Sequence, residues 1–447
     1  MIKKIQKKTE ELEVFWLRLS WACNNSCIFC LDHANQIGVK EKIVPLSQIK
    51  KQIKKISAKD RKKLVLSGGE PTLHPDLAEI IAFAKRQGIK RVQMITNGRM
   101  FYYSGFLKKI IQSGIDEITI SFHSHLPELY EKLTGVKGSY GQALKGLQNI
   151  IKANKVLPKK IIINIDIVVN KLNLPNLKQT LEFFIKQGIY EFDLLFIMPF
   201  GRAFSNSRDL FFDYGDNWPQ IKEVLKMSQD PRLHIWLNRF DPAYLDGYEY
   251  LIQDPEKLLD EINGRQGLFL QAARNKGGKL DCQSPVRCPR CYIRDFCQAF
   301  SKLIKNKTLA CQDRWQRISL ADFLTKPAFY ANKYKDKKII VFFPRFNEHN
   351  KLDFKKLKKI KLPLSWRVEN IPHCLILPNK NRAVFSDLGC FKNKKWQLND
   401  LGRYYIDNLF FVKPLKCRQC KFFTKCQGMN INYLKNLGFE ILRPVKK

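Results

Sequence analysis

The chain has 447 residues and a hydrophobic content of 45%, which excludes wholesale disorder and is enough for two or three domains. Lysine and arginine total 79 against 41 acidic residues, a formal net charge of +38. The excess is largest at residues 301–447, which hold 33 basic and 10 acidic residues. A basic region favours polyanionic partners, but lysine outnumbers arginine, the better phosphate ligand, so a solvated surface is the simpler interpretation.

Two further features bear on the compartment. No apolar run approaches the length needed to cross a membrane, so no transmembrane helix is expected. The N-terminal residues MIKKIQKKTEELEVF are charged throughout, so no signal peptide is expected and we predict a cytoplasmic protein. In a reducing compartment the 13 cysteines are better explained as metal ligands than as disulfides.

Strand-like and helix-like segments alternate through the first two hundred residues. Strands are predicted at 14–20, 63–67, 91–96, 117–122, 161–169 and 192–198, with helices at 46–56, 76–87, 101–112, 139–154 and 174–187. This alternation is typical of a parallel sheet covered by helices. Six βα units fit an open sheet or a partial barrel, and in both the functional site is expected at the carboxyl ends of the strands.

The remaining chain divides into two parts. Residues 204–281 lose the alternation and are predicted to be a connecting segment, with one short strand at 233–237. From Cys282 onward the chain is cysteine-rich, and VRCPRCYIRDFCQ and LKCRQCKFFTKCQ repeat the spacing Cys-x2-Cys-x5-Cys-Gln. This is a duplicated site motif rather than a solenoid repeat. The predicted divisions are therefore 1–203, 204–281 and 282–447.

The first predicted strand is followed by the sequence WACNNSCIFC, in which Cys23, Cys27 and Cys30 have the spacing Cys-x3-Cys-x2-Cys. Three thiolates on one loop can bind three irons of a cubane cluster and leave the fourth iron open to a small molecule. A structural zinc site would want four protein ligands. Only His33 is close enough in the sequence to complete such a set, so zinc is the weaker interpretation.

This cysteine spacing resembles the signature of the radical SAM superfamily, whose members have a partial TIM-like (β/α)6 barrel of the α/β class. The segment Ser67-Gly68-Gly69-Glu70-Pro71 resembles the family's glycine-rich motif, which binds the methionine amine of S-adenosylmethionine. Glycine permits close backbone approach, and a carboxylate suits an ammonium. The resemblance implies that these residues bind the cofactor: Phe29, Gly68, Gly69, Glu70, Asn97, Ser121, Asn170 and Gly201.

Several of these positions also have simpler interpretations. Asn97 precedes a glycine, and an Asn-Gly pair is a common turn. His123 and His125 are expected near the same rim of the barrel, where a histidine can equally be bonded to the backbone. The cysteine triad and the GGE motif, in matching order, are the specific part of the resemblance.

The resemblance also implies a reaction. A 4Fe–4S cluster on Cys23, Cys27 and Cys30 receives one electron from a flavodoxin- or ferredoxin-like donor and breaks the S–C5′ bond of S-adenosylmethionine. The 5′-deoxyadenosyl radical then abstracts hydrogen from a substrate. The protein excludes water and holds the target carbon in place. No side chain needs to act as a nucleophile, so no catalytic acid or base is assigned.

The C-terminal cysteines resemble the SPASM extension of radical SAM enzymes, which carries up to two auxiliary clusters and occurs mostly in enzymes that modify peptides and proteins. We therefore expect one or two auxiliary iron–sulfur clusters in an α+β region. Ser301 and Asn430 stand where that pattern has its last cysteine, so the ligand sets, and zinc instead of a cluster, stay open. The expected ligands are Cys282, Cys288, Cys291, Cys297, Cys390, Cys417, Cys420 and Cys426. Cys311 and Cys374 are either further ligands or buried thiols.

Three functions compete at this level. The first is a radical SAM maturase that acts on a peptide or protein. The second is a radical SAM enzyme that acts on RNA or a small metabolite; RNA is less favoured because no known RNA-binding module is recognisable. The third is a non-enzymatic zinc or iron–sulfur binding module, and the intact cysteine triad with GGE argues against it.

Overall fold

The computed structural model describes residues 14–31, 43–275, 279–305, 315–342, 346, 352, 362–363, 365–376, 383–385, 388 and 397–446. The chain divides into two compact units, Met1–Arg239 and Phe240–Lys447. Among the described residues, no helix combines the length and the apolar character needed to cross a membrane.

Seven strands among the described residues of the first unit form one parallel sheet, in which spatial order equals chain order. The strands are β1 Val14–Ser20, β2 Lys63–Gly68, β3 Arg91–Thr96, β4 Glu117–Ser121, β5 Ile162–Val169, β6 Glu191–Phe196 and β7 His234–Asn238. Each parallel neighbour requires a crossover connection, and the helices between the strands supply it. The first unit is thus the α/β partial barrel that the sequence predicts.

The helices of the first unit bury one face against the sheet. They are α1 Leu46–Lys54, α2 Leu77–Arg86, α3 Ser104–Gln112, α4 Pro127–Thr134, α5 Ser139–Val156, α6 Leu177–Ile185, α7 Gly201–Ser205, α8 Ser207–Leu210 and α9 Tyr214–Met227. In α2 the buried residues Leu77, Ile80, Ile81 and Ala84 follow the i, i+3, i+4, i+7 spacing of an amphipathic helix. Strands β2 and β4 instead bury consecutive positions, residues 64–66 and 117–120, as is typical of parallel strands that are covered on both faces.

Two elements of the first unit differ from the sequence-based expectation. The strand expected within a connecting segment is β7, which pairs in parallel with β6 and so belongs to the sheet. Helix α4, which begins at Pro127 and is followed by Gly135 at φ 68°, has no predicted counterpart, because eight residues show little periodicity. The division into 1–203, 204–281 and 282–447 stays a prediction.

The second unit mixes helices with short strands. Its described helices are α10 Lys257–Asn263, α11 Gln266–Arg274, α12 Arg294–Lys305, α13 Leu320–Thr325, α14 Pro327–Lys333, α15 Leu398–Asn408 and α16 Ile431–Leu437. Its described strands are β8 Gln316–Ser319, β9 Ile339–Phe342, β10 Arg367–Glu369, β11 Ala383–Val384, β12 Phe411–Val412 and β13 Met429–Asn430. Strands β8 to β11 form a parallel sheet in the order β11-β10-β9-β8, and β12 pairs with β13 antiparallel.

Helices α10, α11, α12 and α15 enclose an aromatic core in the second unit. The ring of Phe296 lies 5.4 Å from those of Phe269 and Tyr405, edge to face, a favoured aromatic geometry. Gly402 lets α15 approach α10, since a Cβ there would lie 2.5 Å from the Leu259 side chain. Cys297 is buried in this same core, which fixes one cysteine of the duplicated motif in a rigid setting.

Candidate active site

The loop after β1 carries the cysteine triad. Cys27 and Cys30 are half-buried, and the backbone N–H of Cys30 donates to Cys27 O at 3.2 Å, which closes a tight turn. Desolvation raises the pKa of the Cys23 thiol to about 11. Burial raises the pKa of Cys27 further, and the charges of Cys23 and Cys30 add to the rise. The three thiols therefore lie close enough to influence one another electrostatically.

The glycine-rich turn after β2 lies directly against this loop. The N–H of Gly69 donates to Ser20 O at 2.6 Å, and the N–H of Glu70 donates to Ala22 O at 2.7 Å. Gly68 has φ +125°, and a Cβ on Gly69 would lie 2.2 Å from Ala22 O. The glycines thus allow the turn after β2 to approach the backbone of the cysteine loop. The sequence predicted a contact with the cofactor for these glycines, but not this packing role.

The Glu70 carboxylate is engaged by its own chain. It is 1% exposed and accepts from Thr72 Oγ1 at 2.5 Å, from Thr96 Oγ1 at 2.6 Å and from Asn97 N at 2.8 Å. Burial raises its pKa, and these donors, Asn97 first, oppose the rise. Glu70 therefore joins the ends of β2 and β3. Its predicted contact with an ammonium would compete with these hydrogen bonds.

Residues after β3 hold the cysteine loop from a second side. Asn97 Nδ2 donates to Asn24 Oδ1 at 2.6 Å. The Arg99 guanidinium donates to Asn24 O and, at 2.8 Å, to Asn25 Oδ1. Arg99 is in turn held by Gln142 Oε1 of α5, 2.8 Å from its Nε. Asn97 therefore does more than form a turn, since it contacts the segment between the first two cysteines.

The end of α4 holds the loop from a third side. The N–H of Ser26 donates to Thr134 O at 2.8 Å, and that of Ile28 donates to Leu133 O at 3.0 Å. Gly135 follows with positive φ, and a Cβ there would lie 2.6 Å from Ser26 O. The unpredicted helix α4 is therefore part of the support for the triad.

Helix α7, which follows β6, and the residue after it provide the fourth side. The N–H of Arg202 donates to Cys30 O at 2.9 Å, and Asn206 Nδ2 donates to Ile28 O at 2.9 Å. Gly201 has φ +53°, and a Cβ there would lie 2.4 Å from Cys30 O. Gly201 lies beside the triad, its described contact is with the loop backbone, and its contact with the cofactor stays a prediction.

Phe29 and the two histidines lie at this rim. Phe29 is 6% exposed, and its ring meets His123 edge to face at 4.7 Å between centroids. Burial lowers the pKa of His123 to about 3, so the ring is neutral, and its Nδ1 accepts from Val168 N at 3.2 Å. His125 Nδ1 lies 2.9 Å from Thr180 Oγ1. Both histidines are thus bonded to the chain.

Two other predicted cofactor residues are bonded locally. The Asn170 side chain accepts from Leu172 N at 3.0 Å and donates to Val168 O at 2.9 Å, and it is fully buried. Ser121 Oγ donates to Asp166 Oδ2 at 3.4 Å. Asn170 therefore shapes the turn after β5, and its contact with the cofactor stays a prediction.

The buried Asp166 and the half-buried Asp193 form an acidic pair on the sheet that was absent from the sequence-based site. Asp166 of β5 pairs across the sheet with Ser121 of β4 and with Asp193 of β6. Burial, and then the charge of Asp193, raises the pKa of Asp166 to about 8. Asp166 Oδ1 and Asn164 Oδ1 are buried and have no hydrogen-bond partner among the described residues. Polar residues two apart in an otherwise apolar strand are the signal that could have identified this face.

The second unit holds two cysteine groups. Around Cys297 the charges of Cys291, Cys282 and Cys288 raise the thiol pKa, after burial as the main cause. Around Cys417, burial and then the charges of neighbouring cysteines raise the pKa to about 12. The neighbours of Cys417 are Cys374, Cys426 and Cys420.

Cys374 is the functional candidate that sequence reasoning left undecided. It is 8% exposed and lines a small cavity together with Cys417, Cys420 and Cys426. The expected ligand Cys390 lies outside the described residues, as do Cys311 and His33. Within the described residues, no three His, Cys, Asp or Glu side chains are grouped as around a single metal ion.

Comparison with known proteins identifies the family. Residues 19–184 match the family described as "Radical SAM superfamily". A protein of Sulfurisphaera tokodaii called "Probable GTP 3',8-cyclase" is 30% identical over 244 residues, which are 55% of this chain and 72% of that protein. The chain belongs to the radical SAM superfamily and is an enzyme. A Saccharolobus islandicus protein of the same name is 30% identical over 249 residues, 73% of its length.

Solved structures resemble part of the chain. Streptococcus suis SuiB bound to S-adenosylmethionine matches with a TM-score of 0.40 and 17% identity, over 53% of each chain. The enzyme anSMEcpe with bound AdoMet and a peptide matches with a TM-score of 0.40 and 14% identity, over 50% of this chain and 62% of that chain. The chain thus spans about half of the SuiB chain.

The residues at the barrel mouth fit the cofactors of the family, a 4Fe–4S cluster and S-adenosylmethionine. Cys23, Cys27 and Cys30 are mutually close. The pKa values of the Cys23 and Cys27 thiols are raised, so a bound cation is needed to keep these two as thiolates. Backbone and side-chain hydrogen bonds hold the loop on four sides, which positions the donors in advance. The predicted cofactors are confirmed by family membership, whereas the role of each residue stays a prediction.

Proposed function

We propose that this enzyme cleaves S-adenosylmethionine reductively and uses the 5′-deoxyadenosyl radical to abstract hydrogen from a peptide or protein. The proposed cleavage of S-adenosylmethionine is based on the arrangement of the Cys23–Cys30 loop at the carboxyl ends of the strands. Four separate segments hydrogen-bond its backbone and side chains. A site that binds three irons of a cluster and leaves the fourth iron without a protein ligand needs such a rigid loop.

The residues of the chain would divide the work as follows. Cys23, Cys27 and Cys30 hold the cluster, which supplies the electron for cleavage when it is bound. The turn at Gly68–Gly69, with Asn97, Ser121 and Gly201, surrounds the place expected for the methionine and ribose groups. Phe29 and the neutral His123 form an apolar wall that keeps water away from a reactive radical.

The proposal of a peptide or protein substrate is based on features of the second unit. Two separate groups of cysteines lie there besides the barrel triad, and this supports the likeness to SPASM-type peptide-modifying enzymes. We propose that 282–447 is the auxiliary cluster region, that a flavodoxin- or ferredoxin-like protein donates electrons and that the enzyme works in the cytoplasm.

A nucleotide or another small metabolite is the second candidate substrate. It is favoured by the sequence relatives called "Probable GTP 3',8-cyclase", which are 30% identical to this chain; the chain covers 72% of the Sulfurisphaera tokodaii protein. RNA is the least favoured substrate.

The experiment is anaerobic reconstitution of the full chain, followed by assay of 5′-deoxyadenosine with a chemical reductant. We expect deoxyadenosine from S-adenosylmethionine without substrate, at a slow uncoupled rate. Adding GTP or a peptide pool and measuring the stimulation separates the two substrate classes. An iron-loaded protein that yields no deoxyadenosine would falsify the proposed reaction.

A further inference from the structure

The two copies of the Cys-x2-Cys-x5-Cys motif fold alike. The N–H of Cys291 donates to Cys288 O at 3.1 Å, and in the second copy the N–H of Cys420 donates to Cys417 O at 2.9 Å. The N–H of the third cysteine then donates to the carbonyl four residues earlier, at 3.0 Å in Cys297 and 2.8 Å in Cys426. The chain therefore forms the same two local turns around both sets of three thiols.

The first copy has its fourth thiol close by in the sequence. Cys282 precedes Cys288 by six positions, and Arg287 donates to Cys282 O at 3.1 Å, which holds the segment back against the motif. The second copy has no cysteine at the matching position, since residue 411 is Phe. A fourth thiol must come from elsewhere in the chain if the second site is to match the first.

The fold brings Cys374 to that place. Cys374 lies on a short 3-10 turn, His373–Leu375, and its side chain lines the same cavity as Cys417, Cys420 and Cys426. The N–H of Gly428 donates to Cys426 Sγ at 3.4 Å. Backbone N–H groups directed at a sulfur are typical of ligand thiolates, which need partners for their charge.

The surroundings of the cavity suit a negatively charged cluster. Its wall is otherwise largely apolar and includes Phe422 and Phe423. His373 stacks on Phe422 at 5.0 Å between centroids, and its buried Nδ1 has no hydrogen-bond partner among the described residues. Lys413 also lines the cavity and donates to Phe423 O at 3.0 Å. An apolar shell with one cation excludes water while it balances the charge of bound thiolates.

We propose that Cys374 is the fourth ligand of a 4Fe–4S cluster held by Cys417, Cys420 and Cys426. Both cysteine groups of the second unit are then complete four-thiolate sets, so no auxiliary iron is left open to a substrate. The barrel triad, with three thiolates, is the site with an open iron. This assignment goes beyond the proposed function and replaces Cys390, the ligand expected from the sequence. It does not depend on the reaction that the enzyme catalyses.

The test counts auxiliary iron in the full chain. A background variant with Cys23, Cys27 and Cys30 all changed to Ala removes the barrel cluster, so that anaerobic reconstitution loads the second unit alone. We expect about eight iron atoms per chain in this background, two clusters of four. Adding Cys374→Ala should lower the count to about four, or leave a three-iron remnant visible in the Mössbauer spectrum. Adding Cys390→Ala should leave about eight.

A conservative variant keeps the test decisive if Cys374→Ala fails to fold. Cys374→Ser in the same background, loaded with iron-57, should change the Mössbauer parameters of one iron site by replacing sulfur with oxygen. Far-UV circular dichroism checks that the fold is retained. Iron loss with Cys390→Ala and an unchanged spectrum with Cys374→Ser would overturn the assignment, as would stoichiometric zinc instead of iron. None of these readouts requires cleavage of S-adenosylmethionine, so they stay separate from the proposed function.

Discussion

The barrel triad and the second cysteine group are built in different ways. The loop of Cys23, Cys27 and Cys30 is held by segments that follow β2, β3, α4 and β6, all distant in the sequence. Cys417, Cys420 and Cys426 lie on local turns that hydrogen bonds from Lys416 and Lys421 connect to residues 439–445, and Cys374 lines the same cavity. The difference teaches that the triad depends on four separate segments of the barrel, whereas the second cysteine group combines local turns with the C-terminal residues and one thiol from earlier in the chain. The variants described next test how strongly the barrel site depends on these contacts.

The largest expected effect is at the triad itself. Cys27→Ala should abolish deoxyadenosine formation, since two thiolates cannot hold the cluster in position. Cys420→Ala should retain uncoupled cleavage but lose the modified product, because the triad is untouched. Deoxyadenosine is measured by liquid chromatography after reduction with dithionite. Full activity of the Cys27 variant would overturn the assignment of the barrel site.

A glycine of the turn after β2 should come next. In Gly69→Ala the new methyl group would lie 2.2 Å from Ala22 O, so the backbone of the cysteine loop must move. We expect a loss of about 2–3 kcal/mol in unfolding free energy and reduced iron loading. The matched control is Gly141→Ala in α5, where no atom lies within 4 Å and helix propensity predicts a gain of about 0.5–1 kcal/mol. Equal stability of the two variants, measured by calorimetry, would contradict the close approach.

The contact between Arg99 and the cysteine loop should have a moderate effect. Arg99→Lys keeps the charge but loses the forked geometry that reaches Asn24 and Asn25 together, at a cost of about 1–2 kcal/mol. We expect the reconstituted variant to lose iron to a chelator several-fold faster than the wild type. Arg86→Lys on the exposed face of α2 is the control and should behave as wild type. An unchanged rate in the Arg99 variant would show that the loop does not need this contact.

The last expected effect is confined to high pH and concerns a buried carboxyl of the barrel. Folded Asp166 keeps its proton up to about pH 8, whereas an unfolded chain releases it near pH 4. The folded state therefore binds more protons between these values, so stability falls as the pH rises through this window and the penalty persists above it. Asp166→Asn should therefore raise the unfolding free energy at pH 8.5 and change it little at pH 4.

The comparison for this effect is Asp230→Asn. Asp230 is paired at the surface with Arg232, which lowers its pKa to about 2, so its removal should not stabilise the protein at high pH. Thermal unfolding between pH 4 and pH 9 measures both variants. A stability of Asp166→Asn that follows wild type at every pH would show that burial does not perturb this carboxyl.

Most of the barrel could be predicted from the sequence because its evidence is local. The bounds of β1 and β3 agree with prediction, since apolar runs that end at turn residues specify a buried strand. Strand β7 was harder to place. A five-residue strand carries too little pattern to show whether it joins a sheet, and only its pairing with β6 settles that.

For the candidate site, the sequence predicted the cysteine groups but not the contacts of the polar side chains. The grouping of Cys23, Cys27 and Cys30 and of both Cys-x2-Cys-x5-Cys motifs could be predicted, because residues three to six positions apart are held together by one or two turns of backbone. The hydrogen-bond partners of Glu70 and Asn170 could not be predicted, because nothing in the neighbouring sequence shows whether a carboxylate or an amide faces a cofactor or the chain. The tertiary structure decided that both are bonded to the chain.

The sequence by itself therefore determined the α/β alternation, the position of the triad after the first strand and the duplicated motif. Only the tertiary structure brought α4 to the cysteine loop, placed Asp166 beside Asp193 and joined Cys374 to Cys417 across more than forty residues. The physical reason is chain entropy. Local spacing restricts which near neighbours can meet, whereas a distant contact forms only when the packing of the whole unit compensates for closing the loop.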